Sequence, residues 1–84
     1  MTILWRESGG ARRVGFAVSR QVRRAVAKNR VRRRLREAYR ATREAAPPRA
    51  TLVVIGKPTA LTEPFETIAR QLRGALAAIP GARA

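Results

Sequence analysis

Between Ala25 and Arg40 the chain reads AVAKNRVRRRLREAYR, with seven Lys or Arg in sixteen residues and no proline or glycine to stop a helix. At about 100° per residue, Val31, Leu35, Ala38 and Tyr39 fall in one arc roughly 100° wide, wide enough to dock on a sheet. Thr42 joins that arc at the end, where its hydroxyl is expected to bond back to a carbonyl of the preceding turn. Everything outside the arc must face water or a partner. The pattern runs from about 24 to 44, and Pro47-Pro48 ends it.

The residues that remain are few. Eighty-four residues make one small domain with a thin core. Nineteen Lys or Arg stand against five Glu, with no Asp and no His, for a formal charge of +14. Such an imbalance resists compaction through self-repulsion, and a polyanionic partner is its simplest explanation. Nucleic acid is therefore the leading partner class. The chain has no cysteine, so neither disulfide nor thiolate metal site can reinforce it, which fits a reducing cytoplasm. No apolar run approaches the roughly 20 residues of a membrane span, and the start, MTILWRESGG, lacks the pattern of a secretory signal. The reading is of a soluble, cytoplasmic protein with no membrane partner.

Around the basic helix the chain alternates strand and turn signals. TILWRE (2–7) is short and apolar or β-branched, and SGG (8–10) follows as a turn. RRVGFAVSR (12–20) sets Val14, Phe16 and Val18 on one face, and with the first segment reads as a hairpin. TLVVIG (51–56) is a continuous apolar run suited to a buried central strand, and KPTALT (57–62) a loop. Thr62 is placed to cap a last helix with Pro64 in its first turn. Phe65, Ile68, Leu72, Leu76 and Ile79 form the apolar stripe of that helix, and Pro80-Gly81 stops it. The order β-β-α-β-α predicts an α+β fold, a small α-β sandwich with both helices on one sheet face. Nothing obvious in the chain covers the other face.

On the central helix, Asn29, Arg33, Arg36 and Arg40 cluster opposite the apolar arc. Arg32 and Arg43 flank them on one edge, with Arg30 and Arg34 towards the other. Lys28 projects near the arc, so its stem must snorkel past the core edge. Eleven of the nineteen cations lie between residues 20 and 43. Arg33–Glu37 and Arg40–Glu44 are possible i,i+4 pairs, but Arg32–Arg36 and Arg36–Arg40 set like charges at the same spacing. That repulsion is expected where a phosphate backbone neutralises it. A solvated face usually mixes signs, and a lipid-binding helix has a wider apolar arc than this one. Asn29, amid the cations, can both donate and accept to RNA groups.

The same residues are poorly equipped for hydrolysis. There is no His for acid-base work near neutral pH. There is no Cys and no recognisable activated nucleophile. The five Glu, at 7, 37, 44, 63 and 66, are too scattered for a two-metal site, and Glu63 and Glu66 suit the N-terminus of the last helix.

VGFAVSRQVRRAVAKNRVRRRLREAYR (14–40), followed by LVVIGKP (52–58) and an amphipathic helix, closely resembles the bacterial ribonuclease P protein family over roughly residues 12 to 79. The family signature, Arg-Asn-Arg, a basic pair and a further Arg on one helix, reads here Lys28-Asn29-Arg30, Arg32-Arg33 and Arg36. The resemblance implies a protein subunit that assists a catalytic RNA in removing the 5′ leader from precursor tRNA. It implies a raised affinity for substrate and for Mg2+, which the RNA–protein complex requires and no recognisable protein site binds. The implied partners are the catalytic RNA subunit and precursor tRNA. The implied RNA-binding residues are Lys28, Asn29, Arg30, Arg32, Arg33, Arg36 and Arg40, with Ser19 and Arg20 at the strand end before the helix. The implied fold contains a left-handed β-α-β crossover.

Two departures stand out. Arg23 occupies a turn position that usually holds Gly, and residues 1–84 form a single domain without the family's N-terminal helix and the start of its first strand. Trp5 and Phe16 are the aromatics near enough to stack on a single-stranded leader, although core packing is the more common use of such residues. Outside the resemblance, a general RNA-binding or ribosome-associated basic module fits the same composition. A DNA-binding domain fits less well, because no helix-turn-helix partner closely precedes residues 24–44.

Overall fold

The computed structural model describes residues 1–7 and 9–79. Its regular elements are β1 (Thr2–Glu7), β2 (Arg13–Val18), α1 (Ala25–Thr42), β3 (Ala50–Gly56) and α2 (Phe65–Ala77), with 3-10 turns at Arg43–Ala45 and Pro58–Leu61. The second turn adds structure to the segment anticipated as a loop.

The strands form one sheet in the order β1-β3-β2, with β1 antiparallel and β2 parallel to β3. The expected β1–β2 hairpin does not form, because β3 lies between the two. The sequence TLVVI explains why: as the most apolar strand it has the most to bury, and a β1–β2 pair would have left it at an edge with an unpaired backbone. The parallel pairing of β2 with β3 requires a long crossover, which α1 supplies.

Along β3, Ala50, Leu52, Val54 and Gly56 are buried while Thr51, Val53 and Ile55 are half-buried. This two-residue alternation shows that the helices cover one sheet face and leave the other open among the described residues. The covered face meets Val31, Leu35 and Ala38 of α1, all fully buried, and Ile68, Leu72 and Leu76 of α2. Gly56 is required by the approach of α1. A side-chain carbon added there would run into Val31 and come within 2.8 Å of Leu35. Thr42 is buried, and its hydroxyl donates to the Ala38 carbonyl at 2.8 Å, as the sequence suggests.

The last helix starts differently from expectation. Pro64, in extended conformation, occupies its N-cap position, and the Pro64 carbonyl accepts from the Thr67 and Ile68 amides. Thr62 does not cap α2; its hydroxyl donates to the Thr59 carbonyl of the preceding turn. Phe65, counted in the apolar stripe, is exposed at the helix start, whereas Ile79 is buried just beyond the helix end. Pro80 and Gly81, the expected stop, and Ser8, part of the expected first turn, lie outside the described residues. Among the described residues no helix is long and apolar enough to cross a membrane.

Candidate nucleic-acid interface

Burial of one arc of α1 fixes where its cations go. With Val31, Leu35, Ala38, Tyr39 and Thr42 turned into the core, Asn29, Arg30, Arg33 and Arg40 are exposed on the outer surface. Arg24, extended at φ −84° and ψ 139°, precedes the helix, and the first turn holds no acidic residue. The positive end of the helix dipole therefore adds to the field of Arg20, Arg23 and Arg24.

The sequence-derived set divides into three groups. Asn29, Arg30 and Arg33 line one shallow recess on the outer face together with Val26. Lys28, Arg32 and Arg36 follow at four-residue spacing along the flank nearer β2. The first two are half-buried, as the snorkelling of Lys28 requires, and Arg36 is exposed above the Phe16 ring. Arg40 stands alone in the last turn. Ser19 and Arg20 lie before the helix, where the Ser19 amide donates to the Gly56 carbonyl at 2.8 Å. The Ser19 hydroxyl accepts from the Gln21 amide at 3.3 Å, and its carbonyl accepts from Val22 at 3.0 Å. Ser19 is thus engaged in forming the turn that presents Arg20 to solvent.

Val26 is the residue of this recess that sequence reasoning missed. It is 71% exposed, an aliphatic side chain on a cationic surface. Its position was legible: residues 26, 29, 30 and 33 stand at i, i+3, i+4 and i+7, one face of a helix.

Other arginines are committed to holding the fold. Arg12 donates to the Arg43 carbonyl at 3.1 Å and the Ala46 carbonyl at 3.4 Å, tying the start of β2 to the end of the α1 region. Arg34 donates from Nη2 to the Glu63 carbonyl, linking α1 to the segment before α2. Arg73 donates to the Ala41 carbonyl at 3.3 Å and pairs with Glu44. Glu44 therefore joins α2 rather than forming the anticipated i,i+4 pair with Arg40. Arg33–Glu37 is likewise not an ion pair among the described residues. A hydrogen bond from its own backbone amide, then the Arg73 guanidinium, hold the Glu44 carboxyl below its ordinary pKa. Glu63, whose carboxylate accepts from Gln71, and Glu66 in the first turn of α2 sit where the helix dipole favours them.

Of the two aromatics, Phe16 is half-buried and meets Tyr39 edge-on, with centroids 5.9 Å apart and planes at 69°. Trp5 is 42% exposed. Among the described residues no three His, Cys, Asp or Glu side chains come together in a way that could hold a metal ion. The arrangement supplies a preformed cationic surface with one amide at its centre. It can neutralise and position a polyanion.

A family model described as Ribonuclease P matches residues 1–79. The chain is 44% identical over 70 residues to the ribonuclease P protein component of Kocuria rhizophila, spanning 83% of this chain and 62% of that protein. It is 43% identical over 67 residues to that of Thermobifida fusca, spanning 80% of this chain and 46% of that protein. The ribonuclease P protein from Thermotoga maritima superposes with a TM-score of 0.80 at 28% identity, covering 94% of this chain and 76% of that one. The Staphylococcus aureus ribonuclease P protein, at 19% identity and a TM-score of 0.68, shares the fold. The chain thus spans less than two thirds of the length of these two curated relatives.

Proposed function

Because the chain belongs to the ribonuclease P protein family, we propose that it acts in the cytoplasm as the RNA-binding subunit of ribonuclease P. In this reading it assists a catalytic RNA in removing the 5′ leader from precursor tRNA, and the hydrolytic chemistry resides in the RNA. The observation that carries the proposal is the outer face of α1, where Asn29, Arg30 and Arg33 share one recess beneath exposed Val26, free of the tethers that occupy Arg12, Arg34 and Arg73.

In this reading the roles divide by side-chain chemistry. Arg30, Arg32, Arg33, Arg36 and Arg40 contact phosphates, and each neutralised phosphate releases counterions. Lys28 acts as a point charge at the core edge, and Asn29 reads a base edge or ribose hydroxyl by donating and accepting at once. Arg20, presented by the Ser19 turn, extends this surface beyond the helix start. Among the described residues no three His, Cys, Asp or Glu side chains converge. In this proposal the magnesium ions are held by RNA, and the protein raises their occupancy by letting two polyanions, catalytic RNA and precursor tRNA, approach each other.

The test is leader removal from a precursor tRNA by the cognate catalytic RNA at low magnesium, with the parent chain and an Asn29→Ala/Arg33→Ala variant. Stimulation by the parent and its loss in the variant are expected. Equal affinity of the parent for an unrelated RNA at physiological salt would overturn the proposal in favour of a general RNA-binding module.

A further inference from the structure

Val26 and Asn29 are the two residues of the outer α1 face that phosphate contacts do not explain. Val26 is 71% exposed in the first turn of the helix. A β-branched side chain there is a poorer helix former than Arg, Lys or Ala, and it offers nothing to a phosphate oxygen. Asn29 is likewise a modest helix former, and its amide both donates and accepts, whereas a phosphodiester only accepts. A single exposed valine is ordinary. This one shares a recess of about 260 Å³ with Asn29, Arg30 and Arg33.

Helical side chains lean towards the N-terminus, so Asn29 and Arg30 reach over the turn that carries Val26, and Arg33 over the turn that carries them. The recess therefore has an aliphatic floor at one end, an amide beside it and two guanidinium groups along the rim. The Asn29, Arg30 and Arg33 side chains have no hydrogen-bond or ion-pair partner among the described residues. No carboxylate lines the recess, and the first turn of α1 holds none.

We propose that this recess seats one unpaired nucleotide of the RNA that α1 binds, with the base against Val26, its Watson–Crick edge on the Asn29 amide and its flanking phosphates on Arg30 and Arg33. An unpaired base presents a donor and an acceptor side by side on that edge, the complement of a side-chain amide. In a duplex the opposite strand occupies the same edge. The recess falls below the roughly 300–1,000 Å³ of pockets for drug-sized ligands, which suits one ring system better than a stack of bases. An apolar protein side chain or a lipid chain would also cover Val26, but it would desolvate two guanidinium groups without supplying them an anion. A nucleotide supplies both. This inference rests on the RNA-binding reading above and adds selection of a looped-out or single-stranded position, which counterion release alone does not give.

Val26→Ser exchanges two methyl groups for a hydroxyl at an exposed position and at similar helix propensity, so the denaturation midpoint should not move. Affinity of the full chain for ribonuclease P RNA is expected to fall about three- to ten-fold. The log–log salt slope should stay at the parent's value, because no phosphate contact is lost. Affinity equal to the parent, or a fall accompanied by a lower slope, overturns the site. A second measurement needs no variant: the chain is titrated with a single-stranded oligouridylate and with a blunt RNA duplex of equal length. Nuclear Overhauser contacts between the Val26 methyl protons and base protons are expected with the single strand and absent with the duplex. No such contacts with the single strand, or the same contacts with both, overturn it. A parent without preference for ribonuclease P RNA sinks the functional proposal alone, because the oligouridylate contacts still decide the site.

Discussion

The guanidinium carbon of Arg36 lies 5.9 Å from the centroid of the Phe16 ring, so a cation of α1 rests on the aromatic face of an edge strand. Phe16 is itself braced edge-on by buried Tyr39. The support restricts a long side chain before any ligand arrives, which reduces the ordering cost of a phosphate contact. Phe16→Leu keeps an apolar group beside Tyr39 and removes the ring. We expect affinity for ribonuclease P RNA to fall about two- to five-fold, equivalent to about 0.5–1 kcal/mol of cation–π support. In an Arg36→Gln background the same substitution should cost nothing further in affinity. A double-mutant cycle of binding constants checks this, and additive losses would show that Phe16 acts independently of Arg36.

Gly56 sets how closely α1 approaches the sheet. Gly56→Ala forces a methyl group against Val31 and Leu35, both fully buried and without room to retreat. A destabilisation of about 1–3 kcal/mol is expected, read as a lower urea midpoint with an unchanged m-value. Adding Val31→Ala makes space for that methyl, so the double variant should lose less than the sum of the single losses.

The Glu44–Arg73 pair gives stability a pH signature. A carboxyl whose pKa is lowered by folding contributes stability that is present above its unfolded value and lost as pH falls through the folded one. Glu44 is such a group, through its backbone amide first and Arg73 second. Glu44→Gln should therefore melt slightly below the parent at neutral pH, with the gap closing as the pH falls below the ordinary carboxylate range. The pair is exposed, so added salt should narrow the gap at neutral pH as well. A gap that widens on acidification would contradict the assignment.

How much of this was legible in the sequence follows from which forces are local. The spacing of Val31, Leu35, Ala38 and Tyr39 announces the buried arc because a helix repeats every 3.6 residues whatever it packs against. The outer cluster of Asn29, Arg33, Arg36 and Arg40 follows by subtraction, except that Arg36 leans over the Phe16 ring on the flank, which helix periodicity alone does not show. The hairpin reading failed because strand pairing is decided by competition: β3 displaces β2 from β1 by having more apolar surface to bury. The division of arginines into tethers and free cations was also beyond a periodicity argument. Arg34 and Arg33 are neighbours of one type, and only the position of Glu63, 29 residues away from Arg34, separates their roles. Val26 was in plain view, but an exposed valine looks unremarkable until its neighbours are known to share a recess.

That division makes the sharpest prediction. Arg33 faces the outer recess, whereas Arg34 donates to the Glu63 carbonyl and has its Nε buried without a partner. Arg33→Gln should leave the denaturation midpoint unchanged and weaken binding to ribonuclease P RNA, with the log–log salt slope lowered by about 1. Arg34→Ala should do the reverse in stability, costing about 1–2 kcal/mol because a backbone carbonyl loses its charged donor. Its salt slope should stay near that of the parent once the comparison is made under conditions where both proteins are folded. The two substitutions remove one arginine each from adjacent positions, so net charge cannot explain a difference between them. If both lowered the slope alike and neither altered the midpoint, Arg34 would be a phosphate contact and the link from α1 to Glu63 would carry no stability.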